Sequence, residues 1–494
     1  MNLSLLLTAL KTRKITGRQD KEITNITFDS RTVAPGSLFV AVRGTQADGH
    51  DYISKALASG ATAIVCEQFS GTLNEEVTMI EVDQSAEALG LLSSVFYGNP
   101  TRQLKLVGVT GTNGKTTTAT LCFDLFKRLG YKTGLVSTIE NRIGDRIVPA
   151  THTTPDPVQL NALLRQMADE GCDFVFMEVS SHAIDQRRIA GLYFAGAFFT
   201  NITHDHIDYH KTFGAYLKAK KRLFDDLPKD AFALTNADDR NGSVMLQNTK
   251  AKKYSYGLKK MADFKARIIE NGISGLHLEL DRQDFICRMI GEFNAYNLLA
   301  VYGVATLLGA RKEDVLPILS SLGGAEGRFD YIQENGITAI VDYAHTPDAL
   351  EKVLATLDDI RRGKGNIITV VGCGGDRDKA KRPLMARAAC DYSKTVILTS
   401  DNPRSEDPAA ILRDMQAGVP IGSEKKVLVV SDREQAIRTA YRMAQDGDFV
   451  LVAGKGHEKY QEFAQKSRIY FDDKAVLLNE MKNMSLPGDF GKTL

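Results

Sequence analysis

Residues 107–117, which read VGVTGTNGKTT, constrain the fold of this chain more than any other stretch. An apolar run over 104–109 predicts a buried strand that leads into them. The pattern over 116–129 predicts a helix that leaves them and ends before Gly130. A strand joined to a helix through a glycine-containing turn is the local structure that a phosphate-binding loop requires.

The residues of this turn are of the types that bind phosphate. Gly111 and Gly114 allow backbone N–H groups to converge on an anion at the positive end of the helix. Lys115 can then reach the terminal phosphates of a nucleotide, and the Thr116 hydroxyl can bind Mg²⁺. The turn has the short form, because Val109 stands where the longer pattern has glycine. The alternative is a glycine-rich turn with an unrelated lysine, and the strand and helix on either side favour nucleotide binding.

Length and composition limit the class of protein. A chain of 494 residues exceeds one hydrophobic core, which predicts about three domains. The net charge of +1 gives no global electrostatic reason to bind nucleic acid or an acidic membrane. No apolar run reaches membrane-spanning length, and residues 1–12 lack a secretory pattern. The six cysteines are scattered, which predicts reduced thiols in the cytoplasm and disfavours a disulfide frame or a zinc site.

Alternating strand and helix patterns predict an α/β protein in three parts. Turn signals near residues 100 and 327 predict three units, 1–100, 101–327 and 328–494. The last two units should contain mainly parallel sheets with ligands at the carboxyl ends of their strands. In the last unit, polar loops follow three predicted strands, at 374–378, 401–404 and 454–458. We therefore expect a substrate site at that edge.

Polar residues also follow predicted strands of the middle unit. Glu178 ends an apolar run, where an acidic residue opposite a phosphate loop can bind Mg²⁺ directly or through water. The loop 204–210 contains three histidines and two aspartates, yet its spacing fits no closed zinc site. We expect His206 to help hold a second hard cation beside the nucleotide, with a solvated loop as the alternative.

One lysine is predicted on the buried face of a helix. That face contains Phe213, Tyr216, Leu217, Leu223 and Phe224. Lys220 falls among them, whereas three neighbouring cations are predicted to point elsewhere, namely Lys218, Lys221 and Arg222. A lysine on a buried face is costly unless it is paired or neutralised. Two interpretations stay open: a side chain whose amine reaches water, or an amine carbamylated by CO₂ that offers Mg²⁺ a carboxylate-like oxygen.

Four motifs, in this order, resemble the landmarks of the Mur ligases: TGTNGKT at 110–116, EVSSH at 178–182, DHIDYH at 205–210 and DYAHTP at 342–347. The resemblance spans nearly the whole chain. It implies a small N-terminal UDP-binding α/β domain, a central phosphate-loop ATPase domain with a mainly parallel sheet, and a C-terminal Rossmann-like α/β domain. The sequence DNPR at 401–404 resembles that of the members that add meso-diaminopimelate rather than lysine.

The resemblance implies a cytoplasmic, ATP-dependent ligase of peptidoglycan precursor synthesis. ATP would phosphorylate the D-Glu carboxylate of UDP-MurNAc-L-Ala-D-Glu. The amine of meso-diaminopimelate would attack the acyl phosphate, and loss of phosphate would leave an amide. We expect these small-molecule partners, no nucleic acid, no membrane insertion and a monomer.

Carried over by position, the resemblance also implies site residues. The ATP site would contain Gly111, Thr112, Asn113, Gly114, Lys115, Thr116, Thr117, Asn297, Arg328 and Asp342. The catalytic residues would be Lys115, Glu178, His206 and Lys220. Mg²⁺ would be bound by Thr116, Glu178, His206 and Lys220, the last as N6-carboxylysine, because it matches the carbamylated lysine of the family.

The two other substrates have their own implied residues. UDP-MurNAc-L-Ala-D-Glu would contact Phe28, Ser30, Thr45, Gln46, Ala47, Thr153, Thr154, Ser180, Gln186 and Arg188. Meso-diaminopimelate would contact Arg377, Asp401, Asn402, Pro403, Arg404, Gly454 and Glu458. Arg404 suits a bidentate clamp on the distal carboxylate, and Glu458 suits the ammonium beside it. His152 departs from the pattern, because relatives often have asparagine there.

Three alternatives remain. A lysine-adding ligase is disfavoured by the loop that contains Arg404. An enzyme similar to folylpolyglutamate synthases is disfavoured by the N-terminal unit that contains Ser30. A phosphate-loop switch would hydrolyse nucleotide without any amino acid, which is a property that an assay can test.

Overall fold

The computed structural model describes residues 1–44, 47–69, 76–150 and 152–485. Thr45 and Gln46, both predicted to contact the UDP-linked substrate, lie outside these ranges. The described chain forms a five-stranded, an eleven-stranded and a six-stranded sheet, together with a two-stranded ribbon. Within the described ranges, no helix is both long and apolar enough to cross a membrane.

The first sheet is small and mostly parallel. Its strands are β1 (Thr12–Thr16), β2 (Asn25–Thr27), β3 (Ser37–Val40), β4 (Ala63–Cys66) and β5 (Thr78–Val82), in the order β1-β5-β4-β3-β2 with β1 antiparallel. The helices of this unit are α1 (Leu3–Leu7), α2 (Ile53–Ala58) and α3 (Ser85–Phe96), besides a 3-10 turn at Gly49–Tyr52. Helix α3 packs on the next unit, where Ser94 Oγ donates to the carbonyl oxygen of Gly191 at 3.0 Å.

The middle sheet has a parallel centre with antiparallel hairpins at both edges. After a 3-10 turn at Pro100–Arg102, its strands are β6 (Lys105–Thr110), β7 (Thr133–Val136), β8 (Asn141–Ile143), β9 (Arg146–Val148), β10 (Phe174–Glu178), β11 (Phe194–Phe199), β12 (Phe232–Asn236), β13 (Lys252–Gly257), β14 (Phe264–Gly272), β15 (Gly275–Leu280) and β16 (Gln283–Cys287). Their order is β16-β15-β14-β13-β12-β11-β6-β10-β7-β8-β9. Strand β6 therefore lies between β11 and β10, with all its residues buried except Lys105.

Helices cover both faces of this sheet. They are α4 (Lys115–Arg128), α5 (Pro157–Asp169), α6 (Ser181–Asp185), α7 (Ile207–His210), α8 (Phe213–Asp225), α9 (Gly242–Met245), α10 (Glu292–Leu307) and α11 (Lys312–Ser321). Helices α4 and α10 share one apolar core, and α5 and α8 contribute to a second core. The sheet is thus a layer between helices, with polar loops free to gather at its carboxyl edge.

The last sheet is parallel except at one edge. Its strands are β17 (Asp330–Glu334), β18 (Ile337–Asp342), β19 (Ile367–Cys373), β20 (Thr395–Ser400), β21 (Val427–Val429) and β22 (Phe449–Ala453), in the order β17-β18-β22-β19-β20-β21. A ribbon of β23 (Tyr460–Glu462) and β24 (Arg468–Tyr470) follows. The helices are α12 (Pro347–Arg361), α13 (Lys381–Tyr392), α14 (Pro408–Gln416), α15 (Arg433–Met443) and α16 (Asp473–Ser485), with 3-10 turns at Glu424–Lys426 and Ala464–Lys466.

The α/β architecture predicted from the alternating pattern is confirmed. Each large sheet lies within one of the predicted units, 1–100, 101–327 and 328–494, whose boundaries stay predictions. The neighbouring strands β18, β22, β19 and β20 bring the three predicted polar loops to one edge.

Candidate active site

The turn after β6 approaches its neighbours so closely that two positions require glycine. A Cβ on Gly111 would lie 1.9 Å from Thr200 Oγ1, and one on Gly114 would lie 2.6 Å from Asn297 Oδ1. Gly114 also has a φ of +86°, a conformation that disfavours other residues. Lys115 is the first residue of α4, and its amine donates to the carbonyl oxygens of Gly111 and Thr112 at 2.9 and 2.8 Å. The turn is therefore built as a loop whose backbone and lysine can surround an anion.

Residues of the last unit reach this loop. Arg328 Nη2 donates to Thr116 Oγ1 at 3.2 Å, and its guanidinium lies 4.3 Å from the ring centroid of Tyr343. Asn113 Nδ2 donates to Asp348 Oδ2 at 3.2 Å. The phosphate loop and the last unit thus meet directly.

Asp342 and Asn297 also lie at this junction. Both are buried, and Asp342 accepts the backbone N–H of Phe329 at 2.7 Å. Burial raises the pKa of the Asp342 carboxyl to about 6. Asn297 Nδ2 donates to Asn294 Oδ1 at 3.0 Å. Asp342 and Asn297 line one cavity together with Thr112–Thr117. This cavity has a volume of about 820 Å³, and we call it the phosphate-loop cavity.

Glu178 lies at the carboxyl end of β10 with 0% of its surface exposed. The backbone N–H and the hydroxyl of Thr138 donate to its two carboxylate oxygens at 2.8 and 3.1 Å. Thr138 was not predicted as a site residue, although its position just after β7 was a signal for it. The fixed carboxylate of Glu178 and the hydroxyl of Thr116 line the same cavity and are the oxygen ligands that Mg²⁺ prefers.

His206 immediately precedes the short helix α7 and has a φ of +55°. Its Nε2 lies 3.4 Å from Asp205 Oδ2, and Asp205 is a further residue that the sequence interpretation did not assign. Burial lowers the pKa of His206 to about 4, so the imidazole is neutral at neutral pH, which is the form that binds metals. Among the described residues, no three His, Cys, Asp or Glu side chains converge as a metal site. Any cation at this position therefore needs other ligands as well.

Lys220 is buried as predicted, with 1% of its surface exposed. Its amine donates to the carbonyl oxygen of Gly111 at 2.8 Å and lies 4.7 Å from the ring centroid of Tyr216. Burial, together with the charge of Lys115, holds the pKa of Lys220 well below its ordinary value. If the amine reached water, part of the side chain would be exposed. The interpretation of Lys220 as a lysine whose amine reaches water is therefore not supported.

Lys221 is predicted to point away from the apolar face that contains Lys220. It is nevertheless buried, with 8% of its surface exposed, and its amine lies 2.6 Å from Asp225 Oδ1. A partner one helical turn away offsets the cost of burial, and the apolar pattern did not reveal it. Lys218 is exposed, as predicted.

Five residues predicted to contact the UDP-linked substrate form a connected set beside Glu178. The hydroxyl of Thr138 donates to Thr153 Oγ1 at 3.1 Å. The hydroxyl of Thr154 donates to the carbonyl oxygen of Glu178 at 2.9 Å. The backbone N–H of Ser180 donates to Thr154 Oγ1. The guanidinium of Arg188 donates to the carbonyl oxygen of Thr154 and to Gln186 Oε1, which connects these residues to the set.

Three other residues predicted for this substrate lie in the first unit. These are Phe28, Ser30 and Ala47, and none of them lines either of the two cavities described here. Phe28 is 41% exposed and Ser30 is buried. Their role in binding the UDP-linked substrate stays a prediction.

A second cavity, of about 1140 Å³, lies at the carboxyl edge of the last sheet, and we call it the strand-end cavity. It is lined by six of the residues predicted for the diamino acid, Arg377, Asp401, Asn402, Arg404, Gly454 and Glu458. Pro403 is buried beside them. The two cavities share Thr138, Thr153, Asp205, His206, Tyr343 and His345. They therefore open onto one another next to Glu178 and the phosphate loop.

Hydrogen bonds hold the groups around this second cavity. Asn402 Nδ2 donates to Glu458 Oε2 at 2.8 Å. Lys455, which the sequence interpretation did not assign, donates to Asn402 Oδ1 and Glu458 Oε2 at 2.9 and 3.2 Å. Its signal in the sequence was a lysine between two glycines in a strand-end loop. A Cβ on Gly454 would lie 2.7 Å from Asp401 Oδ2, so glycine permits this close approach.

Arg404 adopts a φ of +51° beside the β23–β24 ribbon. Its backbone N–H donates to the carbonyl oxygen of Glu462 at 3.0 Å, and its Nη1 donates to that of Gly375 at 2.7 Å. Its Nε lies 3.4 Å from Glu462 Oε2. Arg377 is exposed on the neighbouring loop. Two arginines and two carboxylates, Asp401 and Glu458, thus line a cavity suited to a zwitterionic molecule.

In a comparison with known proteins, three family models match successive parts of the chain. Residues 22–97 match the Mur ligase family catalytic domain, 109–305 the Mur ligase middle domain, and 327–456 the Mur ligase glutamate ligase domain. The chain is 56% identical to the UDP-N-acetylmuramoyl-L-alanyl-D-glutamate–2,6-diaminopimelate ligase of Bacteroides fragilis, over 97% of this chain and 98% of that protein. It is 57% identical to the enzyme of the same name from Cytophaga hutchinsonii, over 94% and 95%. A solved structure of a ligase of this name matches with a TM-score of 0.70 and 32% identity, over 98% and 99%.

Proposed function

This chain belongs to the Mur ligase family, and we propose that it joins meso-2,6-diaminopimelate to UDP-MurNAc-L-Ala-D-Glu at the expense of ATP. The product is the UDP-MurNAc-tripeptide precursor of peptidoglycan. The observation that carries the proposal is the junction of two cavities, one at a phosphate loop and one lined by arginines and carboxylates. A nucleotide and an amino acid bound there would approach each other at the residues that the cavities share.

In this proposal the phosphate loop holds ATP. Lys115 and the loop N–H groups bind the phosphates, and Asn297, Arg328 and Asp342 contact the nucleotide from α10 and the last unit. Thr116, Glu178 and His206 fit Mg²⁺, because a hydroxyl, a buried carboxylate and a neutral imidazole suit a divalent cation. When bound, Mg²⁺ would supply positive charge to neutralise the phosphates.

We propose that Lys220 is carbamylated. Its buried amine has a strongly lowered pKa, so a neutral nucleophilic form is accessible. The amine nitrogen would form a bond to the carbon of CO₂ and lose one proton, which leaves an N-linked carboxylate. That reaction removes a cation from beside Lys115 and provides an oxygen ligand next to the metal residues.

The chain's residues then act by holding reactants and stabilising charge. The set formed by Thr153, Thr154, Ser180, Gln186 and Arg188 would hold the peptide end of the UDP-linked substrate beside Glu178. Its D-Glu carboxylate would take the γ-phosphoryl group of ATP, with ADP as the leaving group. The amine of diaminopimelate would attack the acyl carbon, and phosphate would leave as the amine loses a proton.

The remaining ligand contacts belong to the other two units. Phe28, Ser30, Thr45, Gln46 and Ala47 would bind the nucleotide part of the UDP-linked substrate. Because the described ones line neither cavity, we expect that part to extend away from the reacting carboxylate. Diaminopimelate would contact Arg377, Asp401, Asn402, Pro403, Arg404, Gly454 and Glu458. All six cysteines are free and buried, which supports a reducing compartment such as the cytoplasm.

A coupled phosphate-release assay tests the function. Purified protein, ATP and Mg²⁺ are incubated with UDP-MurNAc-L-Ala-D-Glu and either meso-diaminopimelate, L-lysine or no amino acid. We expect phosphate release only with diaminopimelate, accompanied by the tripeptide product in mass spectrometry. Release with lysine alone would favour the lysine-adding alternative, and release without any amino acid would favour a nucleotide-hydrolysing switch.

A further inference from the structure

Lys455 is the most completely enclosed lysine near the strand-end cavity, with 0% of its surface exposed. It does not line that cavity itself, but lies behind residues that do. Its amine donates to Asn402 Oδ1 at 2.9 Å and to Glu458 Oε2 at 3.2 Å, and lies 4.0 Å from Asp401 Oδ1. A buried ammonium is stable only when charged partners offset its loss of water, and here two carboxylates do so.

The contacts of Lys455 determine how Asn402 is oriented. Asn402 Oδ1 accepts from Lys455 and also from the backbone N–H of Glu462 at 3.0 Å. The amide nitrogen therefore points the other way, where it donates to Glu458 Oε2 at 2.8 Å. The hydroxyl of Tyr343 donates to the other carboxylate oxygen of Glu458 at 3.3 Å. Donors on three sides thus fix the carboxylate of Glu458.

The charges around the cavity also follow from Lys455. Asp401 and Glu458 would together place two negative charges in a buried space, and Lys455 reduces the sum to one. Burial and the charge of Asp401 raise the pKa of Glu458, whereas Lys455 opposes that rise.

We infer that Lys455 is a positioning residue for the diamino acid, which holds Asn402 and Glu458 in the orientation that receives the substrate ammonium. The inference rests on the proposed function, since it names a residue that supports the diaminopimelate contacts. It differs from the role of Arg433, another unexposed cation, whose guanidinium bonds to Asp473 and to the carbonyl oxygen of Ala453. Arg433 acts on Asp401 and Glu458 only through its charge, whereas Lys455 donates a hydrogen bond to Glu458 directly.

Other groups that face these carboxylates set the background for a pH measurement. Glu458 is faced by Asp401, Lys455, Tyr343, Tyr460 and Arg433, and Asp401 is faced in addition by Arg404 and Lys381. Burial raises the pKa values of both tyrosines, so they stay neutral near neutral pH. Without the charge of Lys455, the carboxylates of Asp401 and Glu458 would repel each other more strongly. The pair would therefore keep a shared proton up to a higher pH than in the wild-type enzyme.

The test compares Lys455→Met with the wild-type enzyme in the phosphate-release assay. At about pH 7 we expect the KM for meso-diaminopimelate to rise at least about tenfold, as for a buried charge whose partner is removed. The KM for ATP should change less than about twofold, because the phosphate loop is untouched. The ratio of mutant to wild-type KM for diaminopimelate should fall as pH rises, since the shared proton is then lost.

Lys474→Met is the matched control. Lys474 lines neither cavity, is partly exposed and pairs with Asp330 at 2.8 Å. Removing this charge should leave the KM for diaminopimelate within about twofold of wild type. A similar rise in both variants would mean that loss of any paired lysine of this unit has the same effect, and it would overturn the inference.

Further outcomes separate the inference from the proposed function. A wild-type enzyme that does not use diaminopimelate contradicts the proposed function itself. A wild-type enzyme that uses it, with an unchanged KM or an unchanged pH profile in Lys455→Met, overturns only the role of Lys455. Equal losses for all three substrates would also overturn it, as would failure of both Lys455→Met and Lys455→Gln to fold, because either result indicates a purely structural lysine.

Discussion

Lys220 and Lys455 are both buried, yet their surroundings are opposite. Lys220 has a backbone carbonyl oxygen as its hydrogen-bond acceptor, and Lys115 adds a like charge nearby. Lys455 lies among the carboxylates of Asp401 and Glu458 and the amide of Asn402. Burial alone therefore does not determine the charge of a lysine, because the partners decide whether its ammonium is stable.

The difference suggests two uses of a buried amine. On helix α8, burial and the charge of Lys115 outweigh the opposing charge of Asp205 and favour a neutral amine that can react with CO₂. In the loop after β22, a position with two carboxylates favours an ammonium that organises anions. Both lysines lie beside cavities that meet, so the two kinds of site would serve one reaction.

The largest expected effect comes from removing Lys220. We expect Lys220→Ala to lower kcat by about 10³-fold, the scale seen when a group that stabilises transition-state charge is lost. Added formate or acetate should restore part of the activity by replacing the missing carboxylate. In wild-type protein supplied with ¹³CO₂, carbon NMR should show a carbamate signal that Lys220→Ala lacks.

Lys218→Ala provides the control, because Lys218 lies on the same helix but is exposed. Its kcat should stay within about twofold of wild type. Full activity of Lys220→Ala without added carboxylate would remove the proposed contrast between the two lysines.

A smaller effect is expected from replacing Arg404, which lines the strand-end cavity. Arg404→Ala should raise the transition-state free energy for diaminopimelate by about 2 kcal/mol or more, because a partly buried charged contact is lost. Arg404→Lys should restore little, since lysine lacks the planar fork that binds a carboxylate at two points. The measurement is kcat/KM for diaminopimelate, with the KM for ATP as the reference.

Arg413→Ala is the matched arginine variant. Arg413 is largely exposed and lies 3.6 Å from Asp407, so its loss should change kcat/KM by less than about twofold. Unchanged kinetics in Arg404→Ala would exclude a role of Arg404 in amino-acid binding.

The smallest effect concerns a third buried cation, Arg382, which pairs with Glu406 at 2.8 Å. This pairing lowers the pKa of Glu406 from 4.5 to about 2. Its contribution to stability is therefore complete above pH 4.5 and is lost as the pH falls towards about 2. Glu406→Gln should lower Tm by a few degrees at neutral pH, with a smaller difference from wild type in acid.

Glu434→Gln is the control that tests whether the burial of Arg382 is responsible for the change in Tm of Glu406→Gln. Glu434 pairs with Arg438 on an exposed helix face. Such pairs contribute only about 0.3–0.5 kcal/mol, so Tm should hardly change. Equal shifts in the two glutamate variants would contradict the view that the enclosed arginine gives the pair its strength.

Much of the fold could be predicted from local patterns. The strand β6, the turn at Gly111 and Gly114 and the helix α4 were expected, because the apolar periodicity and the glycines are contiguous in sequence. Strands β1 and β8 and the β23–β24 ribbon were not predicted. They are short, polar or at the edge of a sheet, so their pairing depends on neighbours distant in sequence.

The candidate site was predicted unevenly for a similar reason. Glu178 and Lys220 could be singled out, since each interrupts an apolar pattern at a position where polar groups are costly. Thr138 and Lys455 had only weak signals at strand ends, because their importance lies in their bonds to Glu178 and Glu458, which the folded structure reveals. The burial of Lys221 could not be predicted, since the apolar pattern does not reveal its carboxylate partner Asp225.

By itself, the sequence determined the phosphate loop, the α/β alternation and the family, because these depend on residue types at short, regular spacings. Only the tertiary structure decided that two cavities meet beside Glu178 and that Lys220 and Lys455 have opposite partners. The physical reason is that the charge of a buried amine depends on distances to groups from several strands and helices. Those distances exist only once the three sheets have folded and packed.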